Sequence, residues 1–133
     1  MLIERALLDE VIAHARAAAP RECCGVLLGT NGRATVVYPA RNIVDAVDAH
    51  RRFEMDPRDH FAALRLARQD GLTIVGFYHS HPRGPERPSP TDVAEAMYGD
   101  LPMLIVSLES DIPGTRLFRI DAGNADEVPL VVG

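Results

Sequence analysis

An α+β fold, with a mixed β-sheet flanked by helices, follows from three features of this 133-residue sequence. Residues 2–19 carry apolar side chains at helical spacing. Residues 23–29 and 34–39 are apolar runs joined by the turn signal Thr30-Asn31-Gly32, so the sheet begins with a hairpin and cannot be all-parallel. Beyond them, helix-like and strand-like segments alternate to the end of the chain.

In the first helix Ile3, Leu7, Val11, His14 and Ala18 share a face, and Pro20 stops it. His14 lies on or beside that face and reads as a packed structural histidine. The run CCGVLLG at 23–29 is apolar without alternation, as in a strand covered on both faces. Residues 40–51 are polar and aperiodic, and 52–56 read as a short edge strand. Asp56 is a natural N-cap for a helix that Pro57 opens and that runs to about Gln69, with Gly71 beyond its end. Phe61, Leu64 and Ala67 or Arg68 supply its expected inner face. Residues 72–78 (LTIVGFY) form a second buried strand and, with 23–29, the expected centre of the sheet. A loop rich in Pro and Gly runs from His79 to Pro88. A third helix is expected from Pro90 to about Tyr98, then strands at 102–108 and 115–120 and a last one at 127–132. No repeat, linker or low-complexity tract interrupts the chain, which reads as one domain over 1–133.

At 47% hydrophobic and 25% charged, the composition is that of a soluble globular protein. A chain of this length buries enough surface to need no disulfide. No apolar run approaches the ~18 residues of a membrane span. The start, MLIERALLDE, places acids where a secretory leader is basic and then apolar. The expectation is a complete cytoplasmic protein. Net charge is −5, and all 14 basic residues are Arg. Without Lys there is no Schiff-base chemistry, and an acidic chain with scattered Arg argues against nucleic-acid binding. Cys23 and Cys24 are adjacent, which excludes an ordinary disulfide between them and the spacing of a zinc knuckle. They read as buried small residues, with a reactive thiol as the lesser alternative. His50 and His60 read as surface residues. Arg51 and Arg52 read as a solvated pair that could also guide a carboxylate tail.

The chemistry is concentrated in His79-Ser80-His81, the seven residues Pro82 to Pro88, and Ser89-Pro90-Thr91-Asp92. In extended backbone i and i+2 point the same way, so both imidazoles can converge on one point. A stiff loop with one glycine, Gly84, can return the chain so that Asp92 faces them. Two His and one Asp are ligands for a divalent metal such as Zn2+, with a fourth position left for water, as in catalytic rather than structural sites. Each part also has a plainer reading. An isolated H-x-H is more often two rim histidines, and S-P-T-D is a capped helix start with Ser89 as N-cap. A chance match to the whole pattern in a chain this size is on the order of a few in ten thousand. The H-x-E and P-C-x-x-C of cytidine-type deaminases are absent, as are H-E-x-x-H, G-x-S-x-G and the P-loop.

The full pattern resembles the JAMM (MPN-plus, JAB-domain) zinc metallopeptidases, whose motif is an upstream Glu followed by H-[ST]-H, seven residues and S-x-x-D. Pro20–Gly29, with Glu22 at the strand entry, is similar to the upstream element, and the likeness extends over about residues 3 to 121. It implies a JAB/MPN-like fold of cytidine-deaminase-like architecture, with one zinc per chain held by His79, His81 and Asp92. Glu22 would be the general base and proton shuttle for a zinc-activated water, Ser89 an oxyanion donor, and Ser80 a structural motif position. Glu22 can act only if 23–29 packs beside 72–78.

The chain looks like the small stand-alone bacterial members, among them the peptidases that release cysteine from a sulfur-carrier protein. The implied substrate is a ubiquitin-like or sulfur-carrier protein with a Gly-Gly tail, in sulfur-amino-acid biosynthesis. Such a tail could add as a strand to an exposed edge, with residues 52–56 the expected part of that edge. The alternatives are a deconjugase that removes a ubiquitin-like modifier from protein lysines, and a non-catalytic MPN-type scaffold. The oligomeric state is left open.

Overall fold

In the computed structural model, which describes residues 1–133, eight strands form one mixed sheet. Chain order is β1 (Leu2–Ile3), α1 (Arg5–Ala18), β2 (Cys24–Thr30), β3 (Arg33–Ala40), α2 (Pro57–Asp70), β4 (Thr73–His81), α3 (Pro90–Glu95), β5 (Met103–Ser107), β6 (Gly114–Asp121), β7 (Asn124–Val128) and β8 (Val131–Val132). Across the sheet the order is β7-β6-β5-β4-β2-β3-β1-β8. β2 pairs antiparallel with both β3 and β4, and β4 pairs parallel with β5. The α+β class with β2 and β4 at the centre is as expected.

Both central strands are covered on both faces, which is why their sequences are continuously apolar. On one face Leu27 and Tyr78 join Leu8, Val11 and Ala15 of α1 in the larger core cluster. On the other, Val26, Leu28 and Phe77 pack on Ala63 and Ala67 of α2. Period-two alternation in β4 then sends Tyr78 and Ser80 toward α1, and Phe77, His79 and His81 to the opposite face. His14 is half-buried on the α1 side, with Nδ1 2.7 Å from the Tyr78 hydroxyl. It is a packed structural histidine, as its place on the helix suggested.

Several boundaries differ from the sequence reading. The N-terminal helix begins at Arg5, because Leu2 and Ile3 are taken into the sheet between β3 and β8. α2 keeps its predicted ends: Asp56 accepts from the Arg58 N–H, Pro57 is in the first turn, and Gly71 sits at φ 69°. Ala67 faces inward as expected, but its buried partner is Ala63, and Phe61 and Leu64 point outward. Small side chains let the helix lie close on the sheet, a choice that helical spacing alone does not make. α3 ends at Glu95, not near Tyr98, because the chain turns extended at Ala96 and Tyr98 stacks on Phe77. Residues 52–56 are not a strand. They make one isolated bridge, Asn42 with Met55. The Asn42 side chain takes the Glu54 N–H and the Arg52 carbonyl, and Asp56 is committed to capping α2. His79 and His81 belong to β4, not to the following loop. The C-terminal segment divides, with β7 and β8 at opposite ends of the strand order and only Pro129 and Leu130 between them. The sheet must therefore curl until its edges approach, with α1 inside the curve.

Gly25 lies beneath the Tyr78 ring, where an added Cβ would come within 2.2 Å of that ring. Gly25→Ala is expected to cost about 3 kcal/mol by overpacking, read as a lower midpoint in chemical denaturation.

Candidate metal centre

The end of β4, the entry to β2 and the first turn of α3 meet on the α2 face of the sheet. Cys24 pairs with His79, so Glu22, just before β2, comes level with His81. The structure gathers four predicted site residues, Glu22, His79, His81 and Asp92, all buried, with one ligand atom of each within 4.8 Å of the others. His79 Nε2 lies 3.1 Å from His81 Nε2 and 3.1 Å from Asp92 Oδ2. His81 Nε2 lies 3.0 Å from the same Oδ2. Glu22 Oε2 stands outside this triangle, 4.0 Å from His81 Nε2.

Each group is placed by a separate local device. The His81 Nδ1–H donates to the Pro85 carbonyl at 2.8 Å, which leaves Nε2 with its lone pair turned to the cluster. The loop carbonyl can do this because the Ser107 hydroxyl donates to the Gly84 carbonyl beside it. The His79 ring stacks on Phe53, centroids 4.5 Å apart, and its Nδ1 has no hydrogen-bond partner. Asp92 is held by a capping box: the Ser89 N–H donates to Oδ2 at 2.8 Å, and Ser89 Oγ accepts from the Asp92 N–H at 3.0 Å. The capped-helix reading of S-P-T-D is therefore correct, and it aims Asp92 at the histidines.

Glu22 is anchored through its backbone. Its N–H donates to the Ala49 carbonyl at 2.6 Å, and its own carbonyl accepts from Asn42 Nδ2 at 3.0 Å. The next N–H, that of Cys23, donates to Ser80 Oγ at 2.8 Å. Ser80 thus has a specific structural task, tying the entry of β2 to the strand that carries both histidines.

Asn42 and Phe53 were missed by the sequence reading. Asn42 makes four side-chain hydrogen bonds, donating to the Glu22 and Arg52 carbonyls and accepting from the Val44 and Glu54 N–H groups. It locks segment 42–54 against Glu22 and so places Phe53 on His79. Both lie in or beside the aperiodic stretch, where no pattern marks them. Cys23 and Cys24 are buried free thiols pushed up to about 11 and about 12, chiefly by burial, so neither is a nucleophile at neutral pH. His50 is exposed as expected, whereas His60 is half-buried, edge-on to Phe77 and Tyr98. Arg51 and Arg52 do not act as a pair: Arg51 bonds to Asp48, and Arg52 reaches Glu95 on α3.

The electrostatics fit a cation. His81 Nε2 and Asp92 Oδ2 both present lone pairs, and one proton on His79 satisfies only part of the triangle. A single positive ion satisfies all three sides. Two ligands at ~2.0 Å on a tetrahedral ion would stand about 3.3 Å apart, close to the sides observed. Burial pushes Asp92 up, but the adjoining His79 and His81 imidazoles outweigh it and hold the carboxylate well below its usual range. Glu22 is pushed up to about 8, chiefly by burial; the nearby His81 pulls it down, and the Asp92 and Glu95 charges each push it up by less. Its Oε1 is buried without a partner. It is a carboxyl poised to hold a proton near neutrality.

A profile of the family described as prokaryotic homologs of the JAB domain matches residues 4–121. A probable TtuB-protein conjugate cleaving protease of Thermus thermophilus is 33% identical over 99% of this chain and 82% of its own length. A desampylase of Haloferax volcanii is 36% identical over 74% of each chain. A CysO-cysteine peptidase of Mycobacterium tuberculosis is 30% identical over 99% of this chain and 90% of its own. Among solved structures, a Desulfitobacterium hafniense protein superposes with TM-score 0.90 at 34% identity, covering 99% of this chain and 92% of that one. A JAB1/MPN domain protein from Archaeoglobus fulgidus shares the fold, with TM-score 0.66 at 20% identity over 99% and 98% of the two chains.

Asn42→Ala is expected to lower unfolding stability by about 3 kcal/mol, since it leaves four backbone groups without their partner. A pH effect follows from Glu22. Its carboxyl keeps in the folded state a proton that the unfolded chain releases, so it destabilises the metal-free fold increasingly as pH rises from 4.5 to about 8. Metal-free Glu22→Gln should therefore melt above wild type at pH 9, and the gap should close toward pH 4.5.

Proposed function

The chain belongs to the family of prokaryotic homologs of the JAB domain, and we propose that it is a zinc-dependent peptidase acting on ubiquitin-like or sulfur-carrier adducts. It hydrolyses the bond after the carrier's C-terminal Gly and releases cysteine or another small amine. The observation that carries this reading is the placement of Glu22, buried beside the His79–His81–Asp92 triangle but outside it. A structural site needs only ligands, whereas hydrolysis needs a carboxylate that moves protons.

His79, His81 and Asp92 would hold the ion through Nε2, Nε2 and Oδ2. When bound, zinc supplies Lewis acidity, polarising the scissile carbonyl and acidifying a water molecule. Glu22 takes the proton of the attacking water on its carboxylate. The tetrahedral carbon then collapses, the C–N bond breaks, and Glu22 delivers that proton to the departing nitrogen. The products are a free amine and the carrier's terminal carboxylate. Ser89 Oγ accepts the Asp92 N–H, so its own O–H remains free to donate to the oxyanion. Small glycines suit a substrate tail that must approach a buried centre closely. Residues 52–56 form no regular strand, so an edge for the tail there would be limited to the short bridged stretch around Met55.

Removal of a modifier from protein lysines is the second reading, favoured by the names of the Thermus and Haloferax relatives. A non-catalytic scaffold accounts poorly for a carboxyl, Glu22, buried beside the triangle with Oε1 unpartnered.

Two measurements test the proposal. Elemental mass spectrometry should find close to one zinc per wild-type chain and none in a folded His81→Ala. Glu22→Gln should keep the metal and lose about 10²- to 10⁴-fold in cleavage of a carrier adduct. Retained cleavage in Glu22→Gln, or no metal in wild type after zinc is supplied, would overturn it.

A further inference from the structure

We propose that Arg52 is the subsite for the leaving group and reads the free α-carboxylate of an amino acid attached to the carrier. This rests on the peptidase reading above and decides between its two classes of leaving group.

The observations are spatial. Arg52 immediately precedes Phe53, whose ring stacks on His79. Its Nη2 lies 3.1 Å from Glu95 Oε1, and Glu95 stands one helical turn beyond Asp92. The Glu95 charge acts on Glu22 across the same space. The Arg52–Glu95 pair therefore bridges the segment that supports His79 and the helix that carries Asp92. The cluster beneath is buried, but both members of the pair remain partly open to solvent.

Arg52 is built into this position, not merely present there. Its N–H donates to the Asp48 carbonyl, and its carbonyl accepts from Asn42, which also holds Glu22. Its guanidinium is incompletely used. Glu95 engages one terminal nitrogen, and Nε is sealed from solvent with no acceptor. A guanidinium fork is shaped for two parallel bonds to one carboxylate. An incoming carboxylate can share or displace Glu95 and form an end-on fork on the two terminal nitrogens, Nη1 and Nη2, which Nε, sealed inside, does not join.

The leaving groups differ at the atoms Arg52 would reach. An amino acid joined through its α-nitrogen carries a carboxylate two bonds from the nitrogen that departs. A protein lysine joined through its ε-nitrogen carries only methylenes there, and its own carboxyl is a distant peptide group. The carboxylate would therefore lie beside the scissile bond in the first case and be missing in the second. The chain should prefer amino-acid adducts to lysine isopeptides.

The test compares a carrier whose terminal Gly is joined to cysteine, to cysteine amide, or to a peptide lysine through its ε-nitrogen. Zinc-loaded wild type should show kcat/KM about tenfold or more higher for the free acid than for the amide or the isopeptide. That ratio should fall toward one in Arg52→Gln, be partly kept in Arg52→Lys, and rise in Glu95→Gln. A second readout needs no catalysis: NMR titration of metal-free protein with Gly-Gly-Ser should move the Arg52 Nε–H resonance, and its carboxamide should not. Cleavage of acid and amide at equal rates by wild type overturns the subsite and leaves the peptidase standing. An Arg52→Gln that slows both substrates equally does the same. If zinc-bearing wild type cleaves none of the three adducts, the peptidase reading itself falls, and the subsite with it.

Discussion

Antiparallel pairing of β2 on β4, with Cys24 level with His79, underlies everything at the site. It carries Glu22 from the far N-terminal third of the chain to within 4.0 Å of His81. The pairing holds because Leu27 and Tyr78 bury on α1 while Val26, Leu28 and Phe77 bury on α2. A slip of one residue in β4 would turn both histidines to the α1 face and remove Tyr78 from the larger core cluster and Phe77 from the smaller one. The apolar packing that stabilises the fold and the geometry that gathers the ligands are thus one constraint.

Burial of four ionisable groups within 4.8 Å of each other opposes folding unless their charges are compensated. The protein supplies part of the compensation itself. The Pro85 carbonyl takes the His81 Nδ1–H, the Ser89 N–H meets Asp92, and Glu22 holds its proton to about pH 8. A divalent ion would complete it. The unpartnered Glu22 Oε1 and the lone pairs facing across the triangle mark a site arranged for chemistry rather than for stability.

Much of the fold was legible because it rests on local rules. Period 3.6 marked α1, apolar runs marked β2 and β4, and Asp56-Pro57 with Gly71 marked both ends of α2. The failures share a cause, which is competition from partners distant in sequence. Phe61 and Leu64 satisfied helical spacing, yet Ala63 joins the expected Ala67 against the sheet, because small residues let the helix approach closely. Residues 52–56 had the composition of an edge strand, yet the Asn42 side chain took the Arg52 carbonyl and the Glu54 N–H, and backbone pairing with 41–43 is limited to two hydrogen bonds. At the site, the H-x-H and S-x-x-D elements were readable as a pattern. Asn42, Phe53 and the Arg52–Glu95 pair were not, since they come from an aperiodic segment whose role depends on what it lies against.

The sequence by itself determined which chemistry is possible. Alternation along β4 puts two imidazoles on one face, a capping box aims Asp92, and the absence of Lys closes one route of covalent catalysis. These are properties of neighbours, carried by backbone geometry over a few residues. Tertiary structure decided the rest: that Glu22 stands beside the triangle, that Asn42 holds its carbonyl and Ser80 the next N–H, and that Arg52 reaches Glu95 on α3. Those placements join residues far apart in the chain. They depend on the summed burial of two hydrophobic faces, which no local pattern encodes.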